Sequence, residues 1–167
     1  IAEDMYKALA KRRALFERDI KLGIIVGGAS PVIESFVRIK TRAAHNLEVD
    51  MVRVDLSENS DTAIALKAVK KLAAEVDAVI VQLPLPKTLD TNAILSAIPP
   101  EKDVDALNPK IPDDKHPVFA PVALAAVEIL KRSGISIEGK RAVVVGAGRL
   151  VGAPSAALLK RLGAKVS

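Results

Sequence analysis

Ala78-Val79-Ile80-Val81-Gln82-Leu83-Pro84-Leu85-Pro86 joins an apolar strand to a rigid turn. Its first four residues form the short, β-branched run that is typical of a strand buried on both faces of a parallel sheet. Pro84 and Pro86 have a fixed φ and no N–H, so neither suits a central strand and the chain leaves the sheet here. Because ligands of open α/β sheets bind beyond the carboxyl ends of strands, Gln82 is predicted to line a binding site.

The same alternation of apolar strands and helices precedes this stretch and follows it. Ser30, Asp61 (or Thr62) and Asp90 (or Thr91) are the residue types that cap helix N-termini. The helix after Asp61 is expected to bury Ile64, Leu66, Val69 and Leu72. The fold class is therefore α/β, with a doubly wound sheet. The expected strands are 22–26, 49–54 and 79–82, and the expected helices are 1–19, 31–46, 62–75 and 93–97.

The second part of the chain begins with a proline-rich loop, residues 99–119. A helix is predicted over 121–131, a strand of the buried parallel type over 141–145, a helix over 150–162 and the start of a strand over 164–166. Because a single β-α unit cannot bury its own faces, we expect the chain to be truncated. The predicted domains are 1–118 and an incomplete one, 119–167.

Composition excludes several classes of site. The 167 residues include no cysteine, which removes disulfides, thiolate metal sites and cysteine nucleophiles. The net charge is +5, but the basic residues are spread out and aromatic residues make up only 2%, which argues against nucleic-acid binding. That excess of positive charge suits an anionic small molecule. No apolar run of eighteen residues and no signal peptide appear, so we expect no membrane span and a cytoplasmic location.

A glycine-rich turn follows the predicted strand 141–145 and opens the next helix. Glycines there allow a tight turn and let a phosphate approach the N–H groups of the helix N-terminus. The spacing G-x-G-x-x-x-G predicts dinucleotide binding, and the alternative is a tight turn with no ligand. The acidic residue that would distinguish NAD from NADP would lie beyond Ser167. The predicted cofactor-binding residues are Gly146, Ala147, Gly148, Arg149, Leu150, Val151 and Gly152.

Lys40 is a candidate for acid–base chemistry. It shares a helix face with Phe36, four residues earlier, and its neighbourhood contains Ile33, Val37 and Ala44. A lysine beside a buried face can exchange protons with a substrate. The alternative is that its apolar stem lies along the surface while its amine reaches water.

Asp103 and Asp105 form a second candidate. If their segment is extended, alternation points both carboxylates the same way, where they could ligate a metal or bind a heterocycle. The alternative is a solvated acidic loop. No metal site is predicted. His45 and His116 have no ligand spacing and are both expected at the surface.

Four segments in the same order resemble the bifunctional methylenetetrahydrofolate dehydrogenase/cyclohydrolase family. They are Val81-Gln82-Leu83-Pro84-Leu85-Pro86, Pro100-Glu101-Lys102-Asp103-Val104-Asp105, Phe36-Val37-Arg38-Ile39-Lys40 and Leu150-Val151-Gly152-Ala153-Pro154. The resemblance extends from about Gly28 to the last residue. Ala106 stands where the family has glycine.

The resemblance implies a role for each candidate. Lys40 would be the general acid/base of the cyclohydrolase step, Gln82 would hydrogen-bond it, and Asp105 would bind the pterin ring. Phe36, Leu83 and Pro84 would contact the folate, and the glycine-rich turn would hold the pyrophosphate of NAD or NADP. The implied reactions are oxidation of 5,10-methylenetetrahydrofolate and hydrolysis of the methenyl product to 10-formyltetrahydrofolate. Residues 1–118 would be the substrate-binding catalytic domain, and residues 119–167 would be the linking helix and the first β-α unit of a Rossmann-type cofactor domain. The protein would be a cytoplasmic homodimer that supports purine biosynthesis.

Several positions depart from the family pattern. Phe36 replaces its tyrosine, Ile33 replaces a serine, and only Pro121 remains of a P-C-T-P element. Ala147 and Gly148 replace the arginine and serine that help hold a 2′-phosphate, which favours NAD unless Arg149 substitutes for them. Two alternatives stay open: a shikimate dehydrogenase-like oxidoreductase, and a protein that binds folate or nucleotide without catalysis.

Overall fold

A computed structural model of the protein describes residues 1–28 and 30–167. The chain divides into two compact units, Ile1–Lys102 and Asp103–Ser167. The predicted assignment of substrate binding and catalysis to residues 1–118 and of cofactor binding to residues 119–167 stays a prediction, because compactness alone does not assign a function.

The first unit is built on a parallel three-stranded sheet. Its strands are β1 (Ile20–Gly27), β2 (Val49–Leu56) and β3 (Ala78–Gln82), in the order β2-β1-β3. The chain passes from β1 to β2 on one side and then crosses to β3 on the other. The α/β fold class predicted from the sequence is confirmed. The helices of this unit are α1 (Ala2–Arg13), α2 (Pro31–Asn46), α3 (Thr62–Glu75) and α4 (Thr91–Leu95), and a 3-10 turn follows at Pro100–Lys102.

Three of these helices begin at the predicted capping side chains. Ser30 Oγ accepts a hydrogen bond from the Ile33 N–H at 3.1 Å. Asp61 and Asp90 each accept one from the backbone N–H three residues later. Each cap satisfies an N–H that has no partner inside its helix, so these helix starts follow from local sequence.

The core of this unit consists of the central strands and one face of each long helix. Its buried apolar residues include Ile24, Ile25 and Val26 of β1 and Val79, Ile80 and Val81 of β3, with Val37 of α2 and Val69 and Leu72 of α3. Ile64 was predicted to be buried, but it is 53% exposed. The buried stripe of α3 runs through Ala65, Val69 and Leu72, and Ile64 lies beside it.

The first helix is shorter than predicted. It ends at Arg13 instead of residue 19, and Phe16 lies beyond it and is 53% exposed. The N–H groups of Leu15 and Phe16 bond to carbonyls three residues back, which tightens and ends the helix.

The second unit contains α5 (Pro121–Arg132), β4 (Arg141–Ala142), α6 (Gly152–Arg161) and β5 (Lys165–Val166). Its apolar cluster joins α5 and α6 through Ala123, Val127 and Leu158, with Ala106 and Ala120. The strand predicted over 141–145 is only two residues long, and it was wrongly expected to be buried: Val143 and Val145 are 77% and 96% exposed. In the described residues β4 pairs only with β5, so the two valines are not covered.

Candidate active site

Lys40 and Gln82 meet through a hydrogen bond. Lys40 Nζ donates to Gln82 Oε1 at 3.1 Å, although the two residues are 42 positions apart. Lys40 is half-buried on α2, and Gln82 is buried at the carboxyl end of β3. An amine held in this way at the end of a buried strand has a defined position for proton transfer.

The orientation of the Gln82 amide is set by a second hydrogen bond. Gln82 Nε2 donates to the Leu83 carbonyl at 2.9 Å. With its NH₂ group engaged there, the amide presents its oxygen to Lys40, and an amine or an ammonium can donate to it. Gln82 therefore holds the lysine without itself changing charge.

Gln82 lies at the point where the strand order reverses. Val26 of β1 is opposite Gln82 of β3, whereas β2 lies on the other side of β1. Ligands of open α/β sheets bind at such switch points, outside the carboxyl ends of the strands.

The turn after β3 packs closely against the end of β1. A Cβ atom at Gly27 would lie 2.7 Å from Leu85 Cδ2 and 3.1 Å from Pro86 Cδ, so only glycine fits there without rearrangement. This contact fixes the turn that begins directly after Gln82. The Leu83–Pro84 peptide bond in this turn is cis.

The residues predicted to contact the folate in this unit differ in exposure. Phe36 is 53% exposed and lies one helical turn before Lys40, so its ring can cover a flat ligand. Pro84 is exposed and Leu83 is half-buried. Their roles stay predictions.

The Arg53 guanidinium forms ion pairs that link β2 to α2. Arg53 of β2 contacts Glu34 of α2 at 2.6 Å and Asp55 at 2.6 Å. The hydrogen bond from Arg53 lowers the pKa of Glu34 below its usual range, and the two carboxylates raise the pKa of Arg53. All three are partly exposed, so the network orients α2 more than it stabilises the fold.

In the second unit, Asp103 forms a single β-bridge and Asp105 lies in the turn that follows it, so the segment is not extended throughout as considered from the sequence. Asp103 is 1% exposed, and its Oδ2 accepts hydrogen bonds from the Leu107 and Asn108 N–H groups at 2.9 and 2.8 Å. Asp105 is half-buried in the same turn. The described residues contain no group of three or more side chains that could hold a metal ion.

His45 is exposed, as predicted, but the prediction for His116 is wrong. His116 is only 5% exposed, and its Nδ1 lies 3.9 Å from Asp103 Oδ2. The pair was not predicted because the two residues have no ligand spacing in the sequence. The only local signal was that His116 precedes Pro117 in a proline-rich loop.

The glycine-rich turn has the form that a pyrophosphate requires. Gly146 has a φ of 93°, and a side chain at Gly152 would overlap the Gly146 carbonyl. The N-cap of α6, Val151, makes no side-chain capping bond. The Val151 and Ala153 N–H groups donate to the Gly148 carbonyl at 3.2 Å, and Pro154 has no N–H, so Gly152 supplies the N–H of the first turn that could meet an anion. Residues 146–151 are exposed. Their role in binding a dinucleotide stays a prediction.

Comparison with known proteins agrees with these observations. The family model "Tetrahydrofolate dehydrogenase/cyclohydrolase, catalytic domain" matches residues 1–105, and the NAD(P)-binding domain of the same family matches residues 120–167.

The chain belongs to the tetrahydrofolate dehydrogenase/cyclohydrolase family.

Two similar members of this family are the bifunctional FolD proteins of Rickettsia canadensis and Methanospirillum hungatei. Both are 36% identical to this chain, over 83% and 96% of it. The structure of the Trypanosoma brucei enzyme, complexed with NADP and an inhibitor, covers 99% of the chain at 34% identity and a TM-score of 0.91. The chain spans 51% and 63% of the two FolD proteins and 60% of the trypanosomal chain. These matches do not favour a shikimate dehydrogenase-like enzyme.

Among residues 1–28 and 30–167, no helix is both long and apolar enough to cross a bilayer.

Proposed function

We propose that this protein oxidises 5,10-methylenetetrahydrofolate to the methenyl form with NAD or NADP, and hydrolyses that product to 10-formyltetrahydrofolate. The observation that carries the proposal is the hydrogen bond between Lys40 Nζ and Gln82 Oε1, in a chain of this family. The FolD relatives named above are bifunctional proteins, which supports two activities for this family member.

Lys40 would move the protons in the hydrolytic step. Water adds to the methenyl carbon and loses a proton, while the folate nitrogen that leaves this carbon gains one. A single amine close to both can accept the first proton and supply the second. Gln82 would keep Nζ in place throughout, because its oxygen accepts a hydrogen bond from either form of the amine.

Asp105 and Phe36 would bind the pterin end of the substrate. A carboxylate accepts hydrogen bonds from the N–H groups of the heterocycle, and the Phe36 ring can stack on it. Phe36 has no hydroxyl group, so this chain would position Lys40 without the tyrosine of other family members.

The glycine-rich turn would hold the dinucleotide. The Gly146 and Gly152 backbone would admit the pyrophosphate, and the Gly152 N–H at the start of α6 would contact it. NAD or NADP, when bound, supplies the acceptor for the hydride. Ala147 and Gly148 offer no charged or hydroxyl group to a 2′-phosphate, which supports NAD, and Arg149 is the residue that could support NADP.

The assignment of residues 1–118 to folate binding and catalysis, and of 119–167 to the cofactor, belongs to the same proposal. So do the homodimer, the cytoplasmic location, the place in purine biosynthesis and the lack of a nucleic-acid or membrane partner, which rest on the family resemblance and the composition. Sedimentation of the full-length protein would test the homodimer.

The test uses the full-length protein with methylenetetrahydrofolate and either NAD or NADP, and follows both methenyl and formyl products. We expect both products, and we expect Lys40→Met to lower formyl production by about 10²- to 10⁴-fold while the protein stays folded. Thr41→Val is the matched control, since the Thr41 hydroxyl bonds only within α2, to the Val37 carbonyl. Tight folate binding without reduction of either cofactor would instead identify a non-catalytic binding protein.

A further inference from the structure

Asp103 closes the turn that carries Asp105. Its Oδ2 accepts both the Leu107 and the Asn108 N–H, four and five residues later. Ala106, which lies between Asp103 and these two residues, has a φ of 55°. A residue other than glycine costs about 1–2 kcal/mol in this left-handed conformation, so the turn needs contacts that hold it. The Asp103 carboxylate supplies two of them.

Only one oxygen of this carboxylate is satisfied. Asp103 Oδ1 and His116 Nδ1 are both buried, and neither has a hydrogen-bond partner among the described residues. The side chains are 1% and 3% exposed. Burying a carboxylate with no compensating group costs free energy, and the neighbouring imidazole is the side chain that could compensate it.

The imidazole is close enough to compensate the carboxylate. Nδ1 lies 3.9 Å from Asp103 Oδ2, too far for a direct hydrogen bond, so the two groups interact through space or through one bridging water. His116 also lines a cavity of about 390 Å³ with Leu107 and Asn108, the two residues whose N–H groups Asp103 binds. The histidine thus faces the same cavity as the turn and lies beside its carboxylate.

We propose that His116 is a positioning residue for folate recognition. It compensates the buried Asp103 carboxylate, Asp103 holds the turn 103–108, and the turn holds Asp105 in the geometry that binds the pterin ring. This inference rests on the proposed function for the role of Asp105, but its structural part, the link from His116 to the turn, does not. Neither His116 nor Asp103 touches a reacting atom.

The experiment compares three variants of the full-length protein. His116→Leu removes both ring nitrogens, and His116→Asn keeps a hydrogen-bonding group near the position of Nδ1. His45→Leu is the matched control, since His45 is the only other histidine and is exposed. For each protein, KM and kcat are measured with methylenetetrahydrofolate, and hydrogen exchange is measured at the Leu107 and Asn108 amides.

We expect His116→Leu to raise the KM for the folate about tenfold, to leave kcat within about threefold, and to speed exchange at both amides. His116→Asn should have a KM and amide exchange rates close to those of the wild type, and His45→Leu should change neither. A general loss of stability would not raise KM while kcat stayed unchanged. Nor would the hydrogen-bonding group of His116→Asn restore the wild-type KM in that case.

A second variant keeps the test decisive if His116→Leu folds poorly. Asp103→Asn removes the charge but keeps an oxygen that can accept the two amides, so His116→Leu should cost less in that background. An equal cost in both backgrounds would overturn the proposal, as would a folate KM and amide exchange rates that His116→Leu leaves unchanged. Failure of the wild-type protein to turn over folate would overturn the proposed function instead, and the amide exchange would still decide whether His116 holds the turn.

Discussion

At the scale of single residues, the Gln82 amide combines a hydrogen-bond donor and a hydrogen-bond acceptor in one uncharged side chain. Its nitrogen donates to the Leu83 carbonyl and its oxygen accepts from Lys40. A carboxylate in its place could only accept, and an apolar side chain could do neither. This pairing explains why a buried polar residue ends an otherwise apolar strand.

Gln82→Leu is therefore expected to separate catalysis from folding. The variant keeps the volume of the side chain but leaves the amine without this acceptor, a loss of about 1–3 kcal/mol. We expect cyclohydrolase activity to fall by about 10- to 100-fold, while the circular dichroism spectrum stays unchanged. Initial rates of methenyl hydrolysis would measure this. An unchanged rate would show that Lys40 does not depend on Gln82.

At the scale of elements, two glycines of β1 permit close packing against different partners. A Cβ atom at Gly23 would lie 2.7 Å from Leu72 Cγ of α3, and one at Gly27 would lie 2.7 Å from Leu85 Cδ2 of the turn after β3. The nearest atom would lie at the same distance from both added methyl groups, but only the second methyl group lies beside the turn that follows Gln82. The two sites are thus a matched pair.

Gly23→Ala and Gly27→Ala should each lower the free energy of unfolding by about 1–3 kcal/mol, because both overfill a packed contact. Only Gly27→Ala should also impair catalysis, by about tenfold or more, since it displaces the turn beside the Lys40–Gln82 pair. Urea denaturation and cyclohydrolase rates measure the two effects. Equal losses of activity in both variants would contradict the role given to the turn.

At the scale of the whole molecule, acid stability depends on a carboxylate that joins distant parts of the first unit. Asp77 Oδ2 accepts the Lys21 N–H at 2.8 Å, and its Oδ1 contacts Arg18 Nη1 at 2.8 Å. The pKa of Asp77 is lowered, chiefly by the backbone hydrogen bond from Lys21 and then by Arg18. The stabilisation is fully present above the unfolded-state pKa of about 3.9, and it is lost as pH falls through the lower folded-state value.

Asp77→Asn should therefore reduce stability at neutral pH and flatten its dependence on pH in the acid range. The difference in unfolding free energy between wild type and variant should shrink as pH falls below about 4. Arg18→Gln serves as the comparison and should keep part of the pH dependence, because the hydrogen bond from the Lys21 N–H, the largest single cause of the lowered pKa of Asp77, remains. A wild-type minus Asp77→Asn difference that stays constant from pH 7 to pH 2 would refute this assignment.

Local sequence was enough to predict the α/β class, the helix start at Ser30 and, to within one residue, those at Asp61 and Asp90. Each cap is a bond between residues three positions apart, so short-range sequence determines it. The exposed Ile64 and the uncovered Val143 and Val145 could not be predicted in this way. Hydrophobicity shows that a residue can be buried, but a neighbouring element must be present to bury it.

In the candidate site, too, some features could be predicted from the sequence and others only from the tertiary structure. Motif order and spacing in the sequence were sufficient to predict the family and to single out Lys40, Gln82 and Asp105, whose roles remain to be tested. The family resemblance also implied the hydrogen bond between Gln82 and Lys40, and the tertiary structure shows it at 3.1 Å. Only the tertiary structure revealed that His116 is buried beside Asp103. Residues 42 and 13 positions apart meet only because strands, helices and loops pack together, and no local periodicity encodes that packing.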